Sequence, residues 1–562
     1  MIIVWAANLT NTDAYFSGYL LCGIVAILCL ADNYRYNREW TAGGRIAAKV
    51  LALVFGLAVA LANYWLFEVT RDPYEVSAEI NIYLNTFKLW CTALGGYIAA
   101  ENVLRCACDR CFIPTESGPE RRKPWMVFAG SFVIIAAVDL LFLFFAVYPG
   151  SMTPDSINQI NQIRDGIYSN HHPFWHTMVI KLILDIGYAV FGDFYRAVAL
   201  YSVAQILVMS ACFGYVLMSL YQAGVSKIWI VFGFILYATM PYNISYSSTM
   251  WKDVLFGGAV CTFVTSMLRI LRGIGKKQGN YVIFSLSALG FCLWRSNGFL
   301  ALLAAFPVFA VCLRKDHRKM LVLLLGALTL GWVMKGPVLS ALGVPQPDLV
   351  ESLSIPVQQV ARVIVEEREL TAEEENLINR VVDIDEVPEL YRSHISDNIK
   401  NEIRSKNNAY FEENIGQYLK LWLQLLRKYP VDYFRAWVDE TKGYWGGGYK
   451  YWIYADHSGR NDLDTVLVGQ GNGLYMLFNL YFTLTENMIV FEVLNNIGLH
   501  VWILVIAAFV NRFRKRREWL LAIPLLTMVL TLMVATPVFS EFRYAYGIFT
   551  AFPLVIGATL QS

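Results

Sequence analysis

Charge is scarce in this sequence. Of its 562 residues only 16% are Asp, Glu, Lys or Arg, against about 25% in ordinary soluble domains, which excludes a water-soluble globule. Apolar surface takes its place: 56% of residues are hydrophobic and 15% aromatic, and the mean hydropathy is +0.44. The chain reads as an all-α polytopic membrane protein. No basic segment precedes the first apolar run, so no cleavable signal peptide is expected and the first span stays in the mature protein. The net charge of +2 comes in short basic clusters between apolar runs; these report topology, and no nucleic-acid partner is expected. Cysteine is absent from Gly336 to Glu486, so disulfides do not hold that region together. Cys106, Cys108 and Cys111 share one basic loop, but C-x-C-x-x-C lacks a nearby fourth ligand. Structural zinc sites want four, so reduced cytoplasmic thiols are the preferred reading over a metal site.

A spanning helix needs about 20 mostly apolar residues, and about thirteen runs qualify, some of them short. They are Tyr15–Ala31, Arg45–Phe67, Thr86–Leu104, Trp125–Tyr148, Ala197–Tyr221, Ile228–Met240, Val254–Leu271, Tyr281–Leu293, Phe299–Leu313, Met320–Met334, Met488–Val510, Trp519–Ala535 and Tyr544–Leu560. Phe174–Phe191 is apolar too but carries His176, Lys181 and Asp185, which are costly in lipid. Basic loops at Arg35–Lys49, Arg105–Lys123, Arg269–Lys277, Arg314–Lys319 and Arg512–Arg517 face the cytoplasm under the positive-inside rule. An even number of crossings must then separate Trp125–Tyr148 from Val254–Leu271, which lays Phe174–Phe191 in the outer interface. The N-terminus is expected outside and the C-terminus inside. Four regions follow: an N-terminal transmembrane module (1–124), a transmembrane core (125–336) with a large outer loop (149–196), an extracytoplasmic insertion (337–486) that is mostly helical, and C-terminal transmembrane helices (487–562). Within the insertion, Thr371 followed by Glu373 and Glu374 marks a helix start.

The same parity places several polar breaks on one face of the membrane. The stretch Tyr148–Thr177, YPGSMTPDSINQINQIRDGIYSNHHPFWHT, is too polar to follow its span into lipid and holds Asp155, Asp165, His171, His172 and His176. Lys252, Arg295 and Arg543 interrupt later spans on that side. Each has a plainer reading. The stretch can be a solvated connection; Arg295 and Arg543 can snorkel at helix ends; Lys252 and Asp253 can pair and cap a helix. Asp155 can cap a helix starting at Ser156, Glu541 can be the partner of Arg543, and His176 reads as structural. The aromatics of Gly443–His457, among them Tyr444, Trp445, Tyr449, Tyr451, Trp452 and Tyr454, suit sugar stacking and a membrane interface equally. Ser354, Gln358 and Gln359 offer no obvious chemistry.

Read together, YPG-x3-PDS, SNHHP-x2-HT, MWKD, WRSNG, SIPVQQVARV and SEFRYAY, in that order over Trp125–Leu560, resemble an uncharacterised bacterial branch near the GT-C superfamily of membrane glycosyltransferases. That superfamily includes the protein O-mannosyltransferases and aminoarabinose transferases. The resemblance implies a GT-C-like core in the cell membrane with an extracytoplasmic active site. It implies transfer of a sugar from a polyprenyl-phosphate donor to a cell-surface glycan, lipid or protein acceptor, with inversion and Asp155 as general base. Lys252, Arg295 and Arg543 would clamp the leaving phosphate, His171 and His172 would bind phosphate or orient Asp155, and Asp253 and Glu541 would complete the substrate site. The Asp-Glu pair common in mannosyltransferases is absent, since Asp155 is followed by Ser156; no cofactor is implied, and a divalent metal has no support. The rival class is a transporter or lipid flippase using Asp139, the acid inside Trp125–Tyr148, although no second buried acid at a matching position and no pair of inverted halves accompanies it. A non-catalytic surface-glycan assembly protein is the third reading.

Overall fold

The computed structural model describes residues 16–35, 40–63, 82–109, 123–315, 317–446, 473–486 and 488–561. Among them there is no strand, only two isolated bridges. A helix meets the demand that lipid makes of a spanning backbone, since it satisfies the polar groups within the segment itself. The chain opens with α1 (Phe16–Arg35), α2 (Ala42–Asn63) and α3 (Ile82–Asp109). Then follow α4 (Pro124–Ala146), α5 (Pro154–Asp165), α6 (Phe174–Phe191), α7 (Phe194–Gln222), α8 (Lys227–Thr239), α9 (Pro241–Ser247) and α10 (Lys252–Arg272). After them come α11 (Lys277–Leu293), α12 (Ser296–Leu313), α13 (Arg318–Lys335) and α14 (Pro337–Ala341). The insertion contains α15 (Ser354–Val365), α16 (Ala372–Asn379), α17 (Val387–Leu390), α18 (Asp397–Glu413), α19 (Ile415–Lys428) and α20 (Pro430–Thr441). Last come α21 (Gly473–Glu486), α22 (Ile489–Asn495), α23 (Ile497–Phe513), α24 (Ile523–Ala535) and α25 (Phe542–Leu560).

Among the described residues, eight helices are long and apolar enough to cross a membrane, and a ninth span arises if the bent pair α8–α9 counts as one. The chain is thus an all-α membrane protein. Seven of the eight coincide with expected spans; the eighth is Phe174–Phe191, expected to lie in the interface. The other expected spans form helices that are shorter or less apolar. Met488–Val510 is two helices, because Asn496 leaves the helical region and caps α23 through its side chain, which accepts from the Leu499 N–H. Proline at position 241 ends α8 and turns α9 by 52°. Cys106 and Cys108 sit in the last turns of α3 rather than in a loop, and Cys111 lies outside the described residues.

α10 is the centre of the membrane part. Within its apolar stretch 78% of residues are buried, against 22% for Arg318–Ala341, so α10 is enclosed while α13 faces outward. It packs on α7, α11 and α25 around Phe256, Val260, Phe263, Tyr546 and Leu554. The insertion has its own core of Val350, Val363, Tyr391, Leu425 and Tyr433. Within it the buried Arg362 joins α15 to α20 by pairing with Asp439 at 2.5 Å. α16 begins at Thr371, whose hydroxyl and the Glu374 carboxylate reciprocally satisfy the first-turn N–H groups. Residues 537–539 stitch insertion to bundle: Ser396 N donates to Pro537 O, Phe539 N to His394 O and Gly443 N to Phe539 O. A Cβ at Gly443 would stand 2.3 Å from the Ser540 side chain, so only glycine allows that approach.

Candidate active site

Two segments far apart in sequence form the base of the site. Residue 150 has φ +129, and a Cβ there would lie 2.1 Å from Ser202 Oγ, so glycine turns the chain as it leaves α4. The extended Ser151 then bridges to the 248–250 segment, its N–H donating to Ser248 O and its carbonyl accepting from Met250 N, both at 2.9 Å. Ser156 Oγ donates to Met250 O at 2.6 Å and Trp251 Nε1 to Thr153 Oγ1 at 2.5 Å. From α7, Gln205 donates to the carbonyls of Tyr246, Ser247 and Thr249 and fixes the same turn. The first turn of α5 is thereby held against the first turn of α10, with Asp155 facing Lys252.

Asp155 Oδ2 accepts from Lys252 Nζ at 3.1 Å and from Arg543 Nη1 at 2.9 Å; His172 Nδ1 lies 3.9 Å away. Burial would raise the Asp155 carboxyl, but Lys252, Arg543 and His172 outweigh it and hold it far below the ordinary carboxylate range. His172, enclosed and beside Lys252, is pushed down to about 3 although Asp155 pulls the other way. It is therefore neutral, and its Nδ1 accepts from Lys252 Nζ at 3.1 Å. Glu541 Oε1 pairs with Arg543 Nε at 3.2 Å; burial raises its carboxyl, partly offset by Arg543 and Arg295. Arg543 also lies over the rings of Trp251 and Tyr544, at 5.3 and 5.2 Å from their centroids.

Arg295 and Asp253 form a second layer. They pair with each other in full burial, and the guanidinium rests 4.3 Å from the Tyr544 ring centroid. Lys335 donates to the Arg295 and Cys292 carbonyls. Beside this layer a cleft of about 650 Å³ is bordered by Asn170, Ser296, Leu300, Trp332, Lys335 and Gln346.

The structure therefore joins Asp155, His172, Lys252, Glu541 and Arg543 directly, and reaches Arg295 and Asp253 through Tyr544. Lys252 and Asp253 do not pair with each other: consecutive helical residues diverge by about 100°, so each takes a partner from another segment. Nor does Asp155 cap a helix. Thr153 is the N-cap and Ser156 closes its capping box, because Pro154 starts the helix two residues earlier than expected. His171 is exposed and touches His172 only ring edge to face, at 4.9 Å. His176 is structural in placement, enclosed between Gln159 Oε1 (3.1 Å) and Tyr201 OH (2.9 Å). Asp165 pairs on the surface with its neighbour Arg164. Of the aromatic run, Tyr444 is buried and its hydroxyl accepts from the Glu541 N–H, Trp445 packs on Trp437, and Tyr449, Tyr451, Trp452 and Tyr454 lie outside the described residues. Gln359 accepts from Trp422 and donates to the Tyr433 carbonyl, and Gln358 donates to the Arg392 carbonyl, all inside the insertion. Sequence reasoning missed Tyr544, Trp251 and Lys335; the first two stand inside the SEFRYAY and MWKD motifs.

Fold and site define a membrane-embedded helical protein with a carboxylate clamped between cations where four chain segments meet. Comparison with known proteins places it further: the chain belongs to the family of unknown function DUF6020, whose profile matches residues 163–562. That match includes every residue of the cluster except Asp155, which precedes it. No curated protein and no solved structure matches the chain.

Proposed function

We propose that the protein is a membrane glycosyltransferase of GT-C type. It moves a sugar from a polyprenyl-phosphate donor to a cell-surface glycan, lipid or protein acceptor on the extracytoplasmic face of the cell membrane. The observation that carries this reading is the Asp155–Lys252–Arg543 cluster: an ionised carboxylate beside two cations, assembled from residues 97 and 388 positions away from it.

In the resting site those cations make Asp155 a weak base. An arriving phosphate competes for Lys252 and Arg543, the latter by paired N–H contacts. As they turn to it, Asp155 loses two donors and its basicity rises toward the ordinary carboxylate range. The acceptor's O–H or N–H proton then passes to an Asp155 oxygen while the acceptor atom bonds to the anomeric carbon. On the opposite side the bond from that carbon to the phosphate oxygen breaks, and polyprenyl phosphate leaves as an anion held by Lys252 and Arg543. In-line displacement inverts the anomeric centre. Neutral His172 keeps Lys252 directed at the reacting groups, and Arg295, paired to Asp253, backs the Tyr544 face. The neighbouring cleft, apolar at Leu300 and Trp332 and cationic at Lys335, suits a lipid-linked anion.

Transport through the bundle is the second reading, favoured by Asp139, which is fully buried in α4. Surface glycans of a strain carrying Asp155→Asn or Asp139→Asn decide between them: loss with the first variant supports transfer, and loss only with the second supports transport.

A further inference from the structure

We infer that α19 and α20 form a monotopic lipid-docking surface, by which the insertion rests on the same leaflet that its side of the bundle meets. α19 has a wider apolar arc than its core uses. Tyr418, Leu421 and Leu425 turn into the insertion, yet Leu419 and Leu423, one turn apart on another face, are 45% and 46% exposed. On α20, Val431 and Phe434 continue the patch at 50% and 38% exposed. Such a contiguous patch calls for a covering partner.

Two observations make that partner lipid. The patch runs without a break into a span: Phe434 stacks on Trp437, whose Nε1 donates to Met533 O on α24. There Leu530 and Val534, 55% and 71% exposed, occupy the outward face of a helix fit to cross the membrane. Trp437 thus sits where aromatic side chains gather at a membrane surface. The charge agrees as well. α19 carries Lys420, Arg427 and Lys428 and no acid, and the acids of α20 other than its paired, buried Asp432 and Asp439 reduce to Glu440, which is wholly buried. Lys428 pairs with Glu374, but Lys420 and Arg427 border an apolar stripe on two helices that themselves expose no acid, which suits anionic phospholipid at the interface.

The test uses the full-length protein in vesicles of phosphatidylcholine and phosphatidylglycerol, with the photoreactive residue p-benzoylphenylalanine placed singly at Leu423, at Leu530 and at Gln417. Position 530 reports lipid contact on the span and position 417 the polar face of α19. The expected result is a lipid adduct at 423 with a yield comparable to that at 530, and little or none at 417. An adduct at 423 to another part of this chain, or no lipid adduct there while 530 reacts, overturns the inference. Lys420→Gln with Arg427→Gln should lower the phosphatidylglycerol share of the adduct at 423; an unchanged share overturns the assignment to anionic lipid.

Discussion

The clamp on Asp155 can be weighed by a double-mutant cycle with Lys252. A unit pair about 3 Å apart at an effective dielectric of about 20 is worth roughly 5 kcal/mol before solvation. Desolvation of both groups opposes this, and the Asp155 and Lys252 side chains retain 24% and 15% exposure, so the net coupling should be about 2 kcal/mol. Asp155→Asn leaves Lys252 and Arg543 converging on a neutral amide, and Lys252→Met leaves the carboxylate with Arg543 alone. Each single variant should cost about 2–3 kcal/mol, because removing one partner strands a charge that has already lost its water. The double variant, having no Asp155–Lys252 pair to strand, should cost about 2 kcal/mol less than the sum. Unfolding free energies in mixed micelles, followed by tryptophan fluorescence, give the four corners. Additivity within about 0.5 kcal/mol would mean the two groups do not interact, and the site as described would be wrong.

Other outcomes follow from the same contacts. Arg295→Gln should cost about 3–5 kcal/mol by leaving Asp253 buried and unpaired, with Arg295→Lys recovering part of the loss, read as thermal midpoints. His172 binds its proton with a pKa of about 3 when folded and near 6.5 when unfolded. The unfolded state therefore takes up more protons as pH falls from about 6.5, and stability drops across that window; His172→Asn should flatten the slope of stability against pH between about 6.5 and 4. Thr371→Ala, which removes the α16 cap far from the cluster, should cost about 1 kcal/mol while leaving sugar transfer at the wild-type rate.

Helix class was legible because hydrocarbon admits only helices or closed barrels, and continuous apolar runs of about 20 residues fit the helix rather than the shorter, alternating barrel strand. Span boundaries were less so: the apolar run Met488–Val510 hid a break, since Asn495 and Asn496 interrupt it while the run stays apolar on average. Asp155, Lys252 and Arg543 could be found because each is a charge at the start of a helix bordering an apolar run. Their pairing could not. Arg295 meets Asp253 only through the packing of α12 on α10, a tertiary fact with no trace in local pattern. That Lys252 and Asp253 would part company was knowable from helical geometry alone. Tyr544 and Trp251 stayed hidden among aromatics that make up 15% of the chain, where one more ring beside a charge carries no signal. Thr153 displaced Asp155 as the cap because Pro154 is best placed at the first helical position.

The central claim is that Asp155 takes the acceptor's proton in a glycosyl transfer. Mass spectrometry of surface polymers and glycolipids tests it most directly, comparing strains that carry the wild-type protein, Asp155→Asn at equal abundance in the membrane, or none. The account predicts that Asp155→Asn reproduces the sugar loss of the deletion strain while the protein stays folded and membrane-inserted. Wild-type glycans on the Asp155→Asn strain, where the deletion strain lacks them, would contradict it.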